Sequence, residues 1–191
     1  MPHPRGHLVT LRPILHADLV LLHRWLNDPA VMQYWDGRDH PATFDRVEVR
    51  FRKSVEGVDR EAFRFMIDVL DPNAPEGAGT RTIGMVQHGR IHARAKHAQV
   101  DLLIGDPEFR DAGFGTDAMR TVTRYLFEDL RLHRVWLTLR APNVAAMRGA
   151  EKCGFKREGV LREHDYLEGK HVDVVIYGLL ADEWKAIASS G

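Results

Sequence analysis

The sequence predicts an α/β (α+β) domain with a mixed, mostly antiparallel central sheet of about six to seven strands and helices on both faces. Short runs with period-two apolar alternation indicate strands, and longer runs with apolar residues every three or four positions indicate helices. Three strand-like runs between residues 63 and 105 have no helix between them, which favours antiparallel pairing. A strand–helix–strand order over residues 98–140 favours one parallel pair.

The first three elements are predicted to be a strand and two helices. Residues 7–12 alternate loosely between apolar and polar side chains and predict the strand. Asp18 is placed as the N-cap of the first helix, which residues 27–29 (Asn-Asp-Pro) stop because proline disfavours a continuing helix. Thr43 is placed to cap the second helix, and Gly57 is suited to end it.

The three antiparallel strands come next. Residues 63–69 alternate apolar with polar or weakly packed side chains, which is typical of a half-buried strand. The segment 71–80 holds two prolines and two glycines and predicts a surface loop before a second strand over 81–88. A turn begins at Gly89, and residues 98–105 predict the third strand.

The C-terminal half supplies the parallel pair and a closing hairpin. A helix over residues 116–130 leads into a strand over 134–140. Asn143 is placed to cap a short helix that Gly154 ends. Glu168-Gly169 predicts the turn of the final hairpin.

Composition bounds the size and setting of the domain. The chain has 191 residues, of which 44% are hydrophobic and 28% charged, and this fits one domain with a substantial core. We therefore predict a single domain over residues 1–191, with residues 1–7 flexible and residues 186–191 as a tail. Cys153 is the only cysteine, so no intrachain disulfide forms and a reducing, cytoplasmic setting is expected.

Charge and hydropathy argue against several partner classes. Lys+Arg and Asp+Glu number 27 each, so the formal net charge is zero and gives no global electrostatic case for nucleic acid or an anionic membrane. No apolar run approaches the ~20 residues of a membrane span. The 11 histidines show no spacing that indicates a metal site. A monomer or a homodimer is expected.

The turn between the third strand and the central helix is the most informative segment. Gly113 and Gly115 carry no side chain, so backbone N–H groups there can close on an anion. The following helix directs its positive dipole end and its unpaired N–H groups to the same place. Arg110 adds a guanidinium suited to phosphate. Together these features predict a phosphate-binding turn.

Three phosphate ligands compete for this turn. A Walker-type site is disfavoured because no lysine follows Gly115. Residues 113–118 satisfy G-x-G-x-x-A, which is typical of a dinucleotide site, but Arg140 stands where an acidic residue is expected and the preceding strands favour antiparallel pairing. Residues 110–116 read R-x-x-G-x-G-T, which fits an acyl-CoA site. A dinucleotide-binding oxidoreductase is the rival interpretation.

A second signature completes a resemblance to the GNAT acetyltransferase superfamily. After R-x-x-G-x-G-[TA] at residues 110–116, the chain has N-x-x-A followed by E-K-x-G-F at residues 143–155, in the order and spacing of that superfamily. The resemblance extends from Leu11 to Trp184. It implies the GNAT fold, with the sheet splayed at an acetyl-CoA site and with no metal.

Three groups within the superfamily look similar to this chain. The segments that resemble the ribosomal-protein N-terminal (RimJ/RimL-type) acetyltransferases are residues 26–31, 132–135, 158–162, 166–170 and 173–177. Residues 25–35 are also similar to aminoglycoside 6′-N-acetyltransferases and to acyltransferases of siderophore lysines.

The resemblance implies direct transfer of an acetyl group from acetyl-CoA to an amine. The pantetheine arm would pair with the backbone of the strand before the loop, and an N–H near Leu103 would hold the developing oxyanion. Arg148 is implied as a phosphate contact, against the alternative of a solvated helix face. The implied cofactor-binding residues are Leu102, Leu103, Ile104, Arg110, Asp111, Ala112, Gly113, Phe114, Gly115, Thr116, Asn143 and Arg148.

Asp101 and Asn143 are the catalytic candidates. Asp101 would accept the proton of the amine, against the alternative of an outward-facing, solvated side chain. Asn143 would lie beside the acetyl group and also cap its helix. The chain departs from its relatives at Gln99, where a glutamate base is common, and at Ala150, where many relatives carry a tyrosine acid. Cys153 is more consistent with packing than with catalysis.

The acceptor is predicted to contact Tyr34, Trp35, Asp36 and Tyr166. Asp36 would attract an ammonium, and the aromatic residues would line the wall formed by the first helix and its following loop. The first expectation for the acceptor is a protein or peptide N-terminal α-amine. A small-molecule amine (an aminoglycoside, a polyamine or an amino acid) is the alternative, and a non-catalytic CoA-binding module is a further one.

Overall fold

The computed structural model describes residues 3–35, 41–59, 62–71, 79–89 and 91–189. The strands in those residues are β1 Val9–Pro13, β2 Ala62–Leu70, β3 Thr80–Gly89, β4 His97–Ile104, β5 Arg134–Arg140, β6 Lys156–Leu167 and β7 Lys170–Leu180. The α-helices are α1 Leu19–Trp25, α2 Pro29–Met32, α3 Phe44–Val55, α4 Phe114–Arg124, α5 Val144–Lys152 and α6 Ala181–Ala188.

The strands form one seven-stranded mixed sheet in the order β1-β2-β3-β4-β5-β7-β6. Every neighbouring pair is antiparallel except β4 and β5, which are parallel and are connected through α4. The predicted fold class is therefore confirmed. The antiparallel run of β1 to β4 also removes the dinucleotide-binding interpretation, since that fold requires a parallel sheet.

Helices cover both faces of the sheet. Phe51 of α3 and Leu22 of α1 pack with Met66, Met85 and Leu103, which project from one face of the central strands. On the other face, side chains of α4 pack with alternate residues of the same strands. Because successive side chains on a strand point to opposite faces, each central strand contributes to both layers.

Two helices are present where the sequence predicted none. The motif at residues 27–29 ends α1 and also starts α2, because the Asp28 carboxylate accepts a hydrogen bond from the Ala30 N–H at 2.9 Å. The C-terminal helix α6 buries Trp184 against Phe127. Both helices have eight residues or fewer, and so give a weak periodic signal.

Asp18 stands at the predicted N-cap of α1, but its carboxylate has a different partner. It accepts a hydrogen bond from the Leu15 N–H at 2.7 Å and forms an ion pair with Arg12 at 2.7 Å. Thr43 does cap α3 as predicted, through the Arg46 N–H at 3.4 Å. The capping positions are thus readable from the sequence, whereas the pairing of Asp18 with Arg12 is not.

Candidate active site

The two parallel strands β4 and β5 separate halfway along their length. Their pairing consists of three register pairs, from His97–Arg134 to Gln99–Trp136. Beyond them, residues 100–104 of β4 pair with β3, and residues 137–140 of β5 pair with β7. The edges that β4 and β5 turn toward each other there leave a wedge-shaped gap in the sheet, as the resemblance implied.

The phosphate turn begins where β4 ends. A short 3₁₀ turn, Pro107–Phe109, is followed by two left-handed backbone positions, Asp111 at φ 57° and Gly113 at φ 91°. Among the described residues, the N–H groups of residues 111–116 have no hydrogen-bond acceptor, and the first helical bond is that of the Asp117 N–H to the Gly113 carbonyl. Alternating left- and right-handed backbone in front of a helix N-terminus forms an anion-binding concavity.

The Arg110 side chain does not serve this turn as the sequence analysis expected. Its guanidinium donates to the carbonyls of Ile104 at 3.1 Å and Gly105 at 2.9 Å, and lies 3.5 Å from Asp28. Its backbone N–H donates to the Pro107 carbonyl at 3.3 Å. Arg110 thus ties the loop to the end of β4, and the N–H groups that remain for an anion are those of residues 111–116.

Residues of β4 divide between the two faces beside the gap. Leu102 and Ile104 are half-buried on the α4 face, where a Cβ added at Gly115 would lie 3.7 Å from Leu102 and 3.6 Å from Ile104. Leu103 is buried under α1 and α3 on the opposite face. Alternation places the half-buried Asp101 on that same opposite face. A group held in the gap from the α4 side could therefore be approached from the side of Asp101.

Asn143 and Arg148 lie on the other margin of the gap. Asn143 caps α5, since its Oδ1 accepts the Ala146 N–H at 3.2 Å. A Cβ added at Gly149 would lie 3.9 Å from the Thr116 hydroxyl, so α5 runs alongside the first turn of α4. Arg148 is exposed on α5. The structure thus brings α5 next to the phosphate turn, with the cap role of Asn143 present.

The segment after α2 reaches across to the far side of the gap. The Tyr34 hydroxyl lies 3.5 Å from the Pro142 carbonyl, one residue before Asn143. The Trp35 carbonyl accepts a hydrogen bond from Arg140, the last residue of β5, at 3.1 Å. Tyr34 and Trp35 therefore lie beside the β5 end of the gap, their contact with an acceptor stays a prediction, and Asp36 lies outside the described residues.

Tyr166 is not brought to this wall. It is 59% exposed and packs edge-on against His171 within the β6–β7 hairpin. The preceding residue, Asp165, points the other way and forms an ion pair with Arg140. Burial raises the pKa of the Asp165 carboxyl, but the hydrogen bonds from Arg140 and the Tyr166 N–H outweigh it, and the net shift is downward. The acceptor contact of Tyr166 stays a prediction, and Asp165 is the residue of this hairpin that pairs with Arg140 at the end of β5.

Sequence reasoning missed several polar residues of the site: Arg64, Gln87, Arg140 and Asp165. Arg140 ends a predicted strand and shares a face with Thr138, which is a signal readable by alternation. Each of the four has a partner on another strand, and those pairings follow from the sheet order rather than from local sequence.

Cys153 and Ala150 are core residues. Cys153 is 1% exposed, its Sγ lies 3.5 Å from the Thr116 carbonyl, and burial raises the pKa of the thiol to about 11. Ala150 is 4% exposed. At neutral pH the thiol is protonated and enclosed, so neither residue supplies a proton donor or a nucleophile at the gap.

We expect Cys153 to resist thiol reagents in the folded protein. At pH 8, labelling by a disulfide reagent such as dithionitrobenzoate should be at least 100-fold slower than in denaturant, because both burial and protonation oppose thiolate attack. The matched control is the same protein in guanidinium chloride, where one equivalent should react at once. Rapid stoichiometric labelling of the folded protein would contradict the buried position of Cys153.

Two further searches concern metal and membrane. Within the described ranges, no three His, Cys, Asp or Glu side chains are grouped so that they could hold a metal ion. In the same part of the chain, no helix has the length and apolar character needed to cross a membrane.

Comparisons with known proteins agree with this geometry. Residues 9–156 match the family described as an acetyltransferase (GNAT) domain. The chain is 29% identical over 166 residues to a spermidine N(1)-acetyltransferase of Vibrio cholerae, covering 87% of this chain and 89% of that protein. A crystal structure of spermidine N-acetyltransferase from Vibrio cholerae, in complex with CoA and spermine, superimposes with a TM-score of 0.80 at 27% identity, covering 93% of this chain and 98% of that one.

A third relative has a different acceptor in its name. The chain is 33% identical over 102 residues to a putative ribosomal N-acetyltransferase of Bacillus subtilis, covering 53% of this chain and 55% of that protein. The resemblance to the superfamily is confirmed, and the narrower one, to the RimJ/RimL-type group, stays a prediction.

Proposed function

Because the chain belongs to the GNAT acetyltransferase domain family, we propose that it transfers the acetyl group of acetyl-CoA to a primary amine of a polyamine such as spermidine. The protein is an acetyl-CoA-dependent N-acetyltransferase, as its family and its full-length relatives indicate. The polyamine acceptor is the new element of this proposal. It replaces the N-terminal α-amine as the first expectation, because the relatives that align over nearly the whole chain include proteins named spermidine N-acetyltransferases.

The single observation that carries the catalytic geometry is the position of Asp101 on β4, where β4 and β5 separate. The gap, the uncommitted N–H groups of residues 111–116 and the first turn of α4 fit a diphosphate with an extended amide-rich arm. When bound there, acetyl-CoA supplies the acetyl thioester. In this arrangement the backbone of residues 102–104 would align the arm, and Asn143 would border it from α5.

The acceptor must approach from the face of Asp101. An alkyl amine of the lysine type has a pKa of about 10.4, so it arrives as an ammonium and must lose a proton before it can attack the thioester carbonyl. A carboxylate at the gap attracts that cation and provides the first acceptor for its proton, directly or through one water. Attack by the neutral amine would form the new N–C bond as the C–S bond of the thioester breaks, and the second proton lost by the nitrogen would pass to the departing thiolate, so that the products are the acetylated amine and the free thiol of CoA.

Carboxylates around the Tyr34–Trp35 wall suit a second cationic centre of the acceptor. Asp28, at the start of α2, is 35% exposed and lies 3.5 Å from Arg110, and Glu168, at the hairpin turn, accepts a hydrogen bond from Gln33 at 3.3 Å, so an ammonium would join each carboxylate beside its present partners. A polyamine carries ammonium groups several ångströms apart, and each can pair with an acidic side chain. A peptide N-terminus carries a single α-ammonium group rather than several spaced ammonium groups. The acidic side chains of this protein therefore favour a polyamine over a peptide N-terminus as the acceptor.

A thiol-release assay with an acceptor panel tests the proposal. We expect kcat/KM for spermidine and spermine to exceed that for peptides with free Ala, Ser or Met N-termini by at least tenfold. N-acetylated versions of the same peptides serve as matched controls for lysine acetylation. A peptide preferred over both polyamines would overturn the polyamine assignment and restore the N-terminal acceptor.

A further inference from the structure

We propose that Gln87 is a positioning residue that aims the carboxylate of Asp101, and that Arg64 fixes the orientation of the Gln87 amide. The inference rests on the proposed function, in which Asp101 meets the acceptor amine. Arg64, Gln87 and Asp101 stand directly opposite one another on β2, β3 and β4. All three lie on the sheet face that carries α1 and α3.

A continuous chain of hydrogen bonds follows this row. Arg64 Nε donates to Gln87 Oε1 at 3.0 Å, and Gln87 Nε2 donates to Asp101 Oδ2 at 3.1 Å. Gln99, two residues before Asp101, donates its Nε2 to Asp101 Oδ1 at 3.2 Å. Both carboxylate oxygens are therefore held by neutral amide donors from within the sheet.

Arg64 is fixed from three sides. Its Nη1 donates to Ser54 Oγ and to Asp59 Oδ2, each at 2.7 Å, and its guanidinium lies 5.2 Å from the centre of the Phe51 ring. The Arg64 and Asp59 side chains are 12% and 11% exposed. These contacts leave the guanidinium little freedom to turn away from Gln87.

The polarity of Gln87 follows from this anchor. A glutamine amide can present either its oxygen or its NH₂ group to a neighbour, and only its bonding partners decide which. Arginine has donors and no acceptor, so the Gln87 oxygen must face Arg64 and the NH₂ group must face Asp101. A fixed charge on β2 thus determines which end of an amide on β3 meets the carboxylate on β4.

The consequence is that two neutral amide groups orient the Asp101 carboxylate without themselves adding a positive charge beside it. An arginine in place of Gln87 would bind the Asp101 carboxylate more strongly but would neutralise its charge. The electrostatic attraction between Asp101 and the ammonium of the acceptor would then be weaker. A neutral amide with fixed polarity keeps the carboxylate in one orientation and does not itself neutralise its charge. Small displacements of a group that receives a proton reduce rates steeply, so such orientation matters most for kcat.

Double-mutant cycles separate this positioning role from a structural one. Gln87→Met keeps the length and volume of the side chain but removes the amide, and we expect kcat with spermidine to fall about tenfold. Arg64→Met should lower kcat by about threefold, and Arg64→Lys by less, since lysine still donates to the Gln87 oxygen. The affinity for acetyl-CoA should not change in any of the three, as calorimetry would show.

The decisive readout is non-additivity. In a Gln87→Met background, Arg64→Met should cause no further loss of kcat, because Arg64 acts through Gln87. In a Gln99→Met background, which removes a donor that Arg64 does not orient, Arg64→Met should keep its full threefold effect. Multiplicative losses in the Arg64–Gln87 pair would overturn the proposal, as would a Gln87→Met variant with wild-type kcat.

Asp101→Asn distinguishes failure of this inference from failure of the proposed role of Asp101. If Asp101→Asn retains wild-type kcat, Asp101 does not meet the acceptor and both ideas fail. If Asp101→Asn lowers kcat by at least 100-fold while Gln87→Met has the kcat of the wild type, Asp101 acts without Gln87 and only the inference about Gln87 fails. The Arg64–Gln87 cycle is measured with Asp101 intact, so it remains readable however inactive Asp101→Asn is.

Discussion

Gly115→Asp is expected to weaken acetyl-CoA binding by at least 100-fold while leaving the apo protein folded. Gly115 occupies the first turn of α4, among the N–H groups of residues 111–116 that have no acceptor in the described chain. A carboxylate there would compete for those N–H groups and repel a diphosphate. At about 4 Å and the effective dielectric of a protein surface, two like charges repel by ~4 kcal/mol, enough for a loss of two or more powers of ten.

The same substitution should not harm the fold. A Cβ at Gly115 would lie 3.6 Å from Ile104 and 3.7 Å from Leu102, which is ordinary van der Waals contact. A negative side chain in the first turn of a helix is also favoured by the helix dipole. The melting temperature of the apo protein should therefore be unchanged or slightly higher, in contrast with the loss of binding.

Gly115→Asn and Gly115→Ala are the matched controls. Asparagine has almost the same shape as aspartate without the charge, so it isolates the electrostatic part of the effect, and alanine reports the cost of a Cβ alone. Calorimetry with acetyl-CoA should rank the affinities as Gly, Ala, Asn and then Asp, with the largest drop between Asn and Asp. If Gly115→Asp binds within fivefold of the wild type, the first turn of α4 does not hold the diphosphate.

The strands and helices around the site were predictable because strand, cap and turn signals each depend on only a few neighbouring residues. The strand over residues 134–140 is found as predicted, and Asn143 and Gly154 bound α5 as expected. The helix predicted over 116–130 begins two residues earlier, at Phe114, and its last part continues as a π-helical turn over Tyr125–Asp129. Periodicity identifies the apolar face of such a helix but does not distinguish one hydrogen-bonding pattern from another.

Contacts between distant segments set the rest of the site. Alternation along β4 and β5 places Asp101 and Arg140 on one face, but the wall opposite them comes from Tyr34 and Trp35, more than 100 residues before Arg140. The guanidinium of Arg110 also shows the limit of motif reading. The R-x-x-G-x-G pattern places an arginine at a phosphate turn. In the structure, however, the Arg110 guanidinium donates hydrogen bonds to two backbone carbonyls at the end of β4. Every residue has a backbone carbonyl, so the amino-acid sequence does not indicate which carbonyls an arginine will bind.

The surroundings of the candidate base, Asp101, were also only partly predictable from the sequence. Asp101 and Gln99 were both identified from the sequence, as a candidate base and as a departure from the usual glutamate. What the sequence did not show is that Gln99 donates to Asp101 and that Gln87 does so from the next strand. The glutamine that stands where relatives commonly carry a glutamate base is a hydrogen-bond donor to the candidate base. The side-chain partner, rather than the residue type, decides its role.

Asp117→Ala should produce the largest loss of stability among single substitutions near the site, because it removes one acceptor shared by three donors. The Asp117 carboxylate is 7% exposed and accepts the N–H groups of His7 at 3.2 Å, Leu8 at 2.7 Å and Val9 at 3.1 Å. These bonds join the start of β1 to the first turn of α4. Residues 1–7, which the sequence analysis expects to be flexible, thus include a segment that α4 holds.

We expect Asp117→Ala to cost about 3 kcal/mol, roughly one for each N–H left without a partner. For a domain of this size that corresponds to a fall in melting temperature of about 6–12 °C. Asp117→Asn should cost less, since its amide oxygen still accepts part of the set, and Asp182→Ala, which removes an exposed carboxylate, should leave the melting temperature unchanged. Hydrogen exchange locates the effect: the amides of residues 7–9 should lose protection first, while those of β4 and β5 stay protected until global unfolding. An Asp117→Ala protein that melts within a degree of the wild type would show that β1 is held by β2 alone.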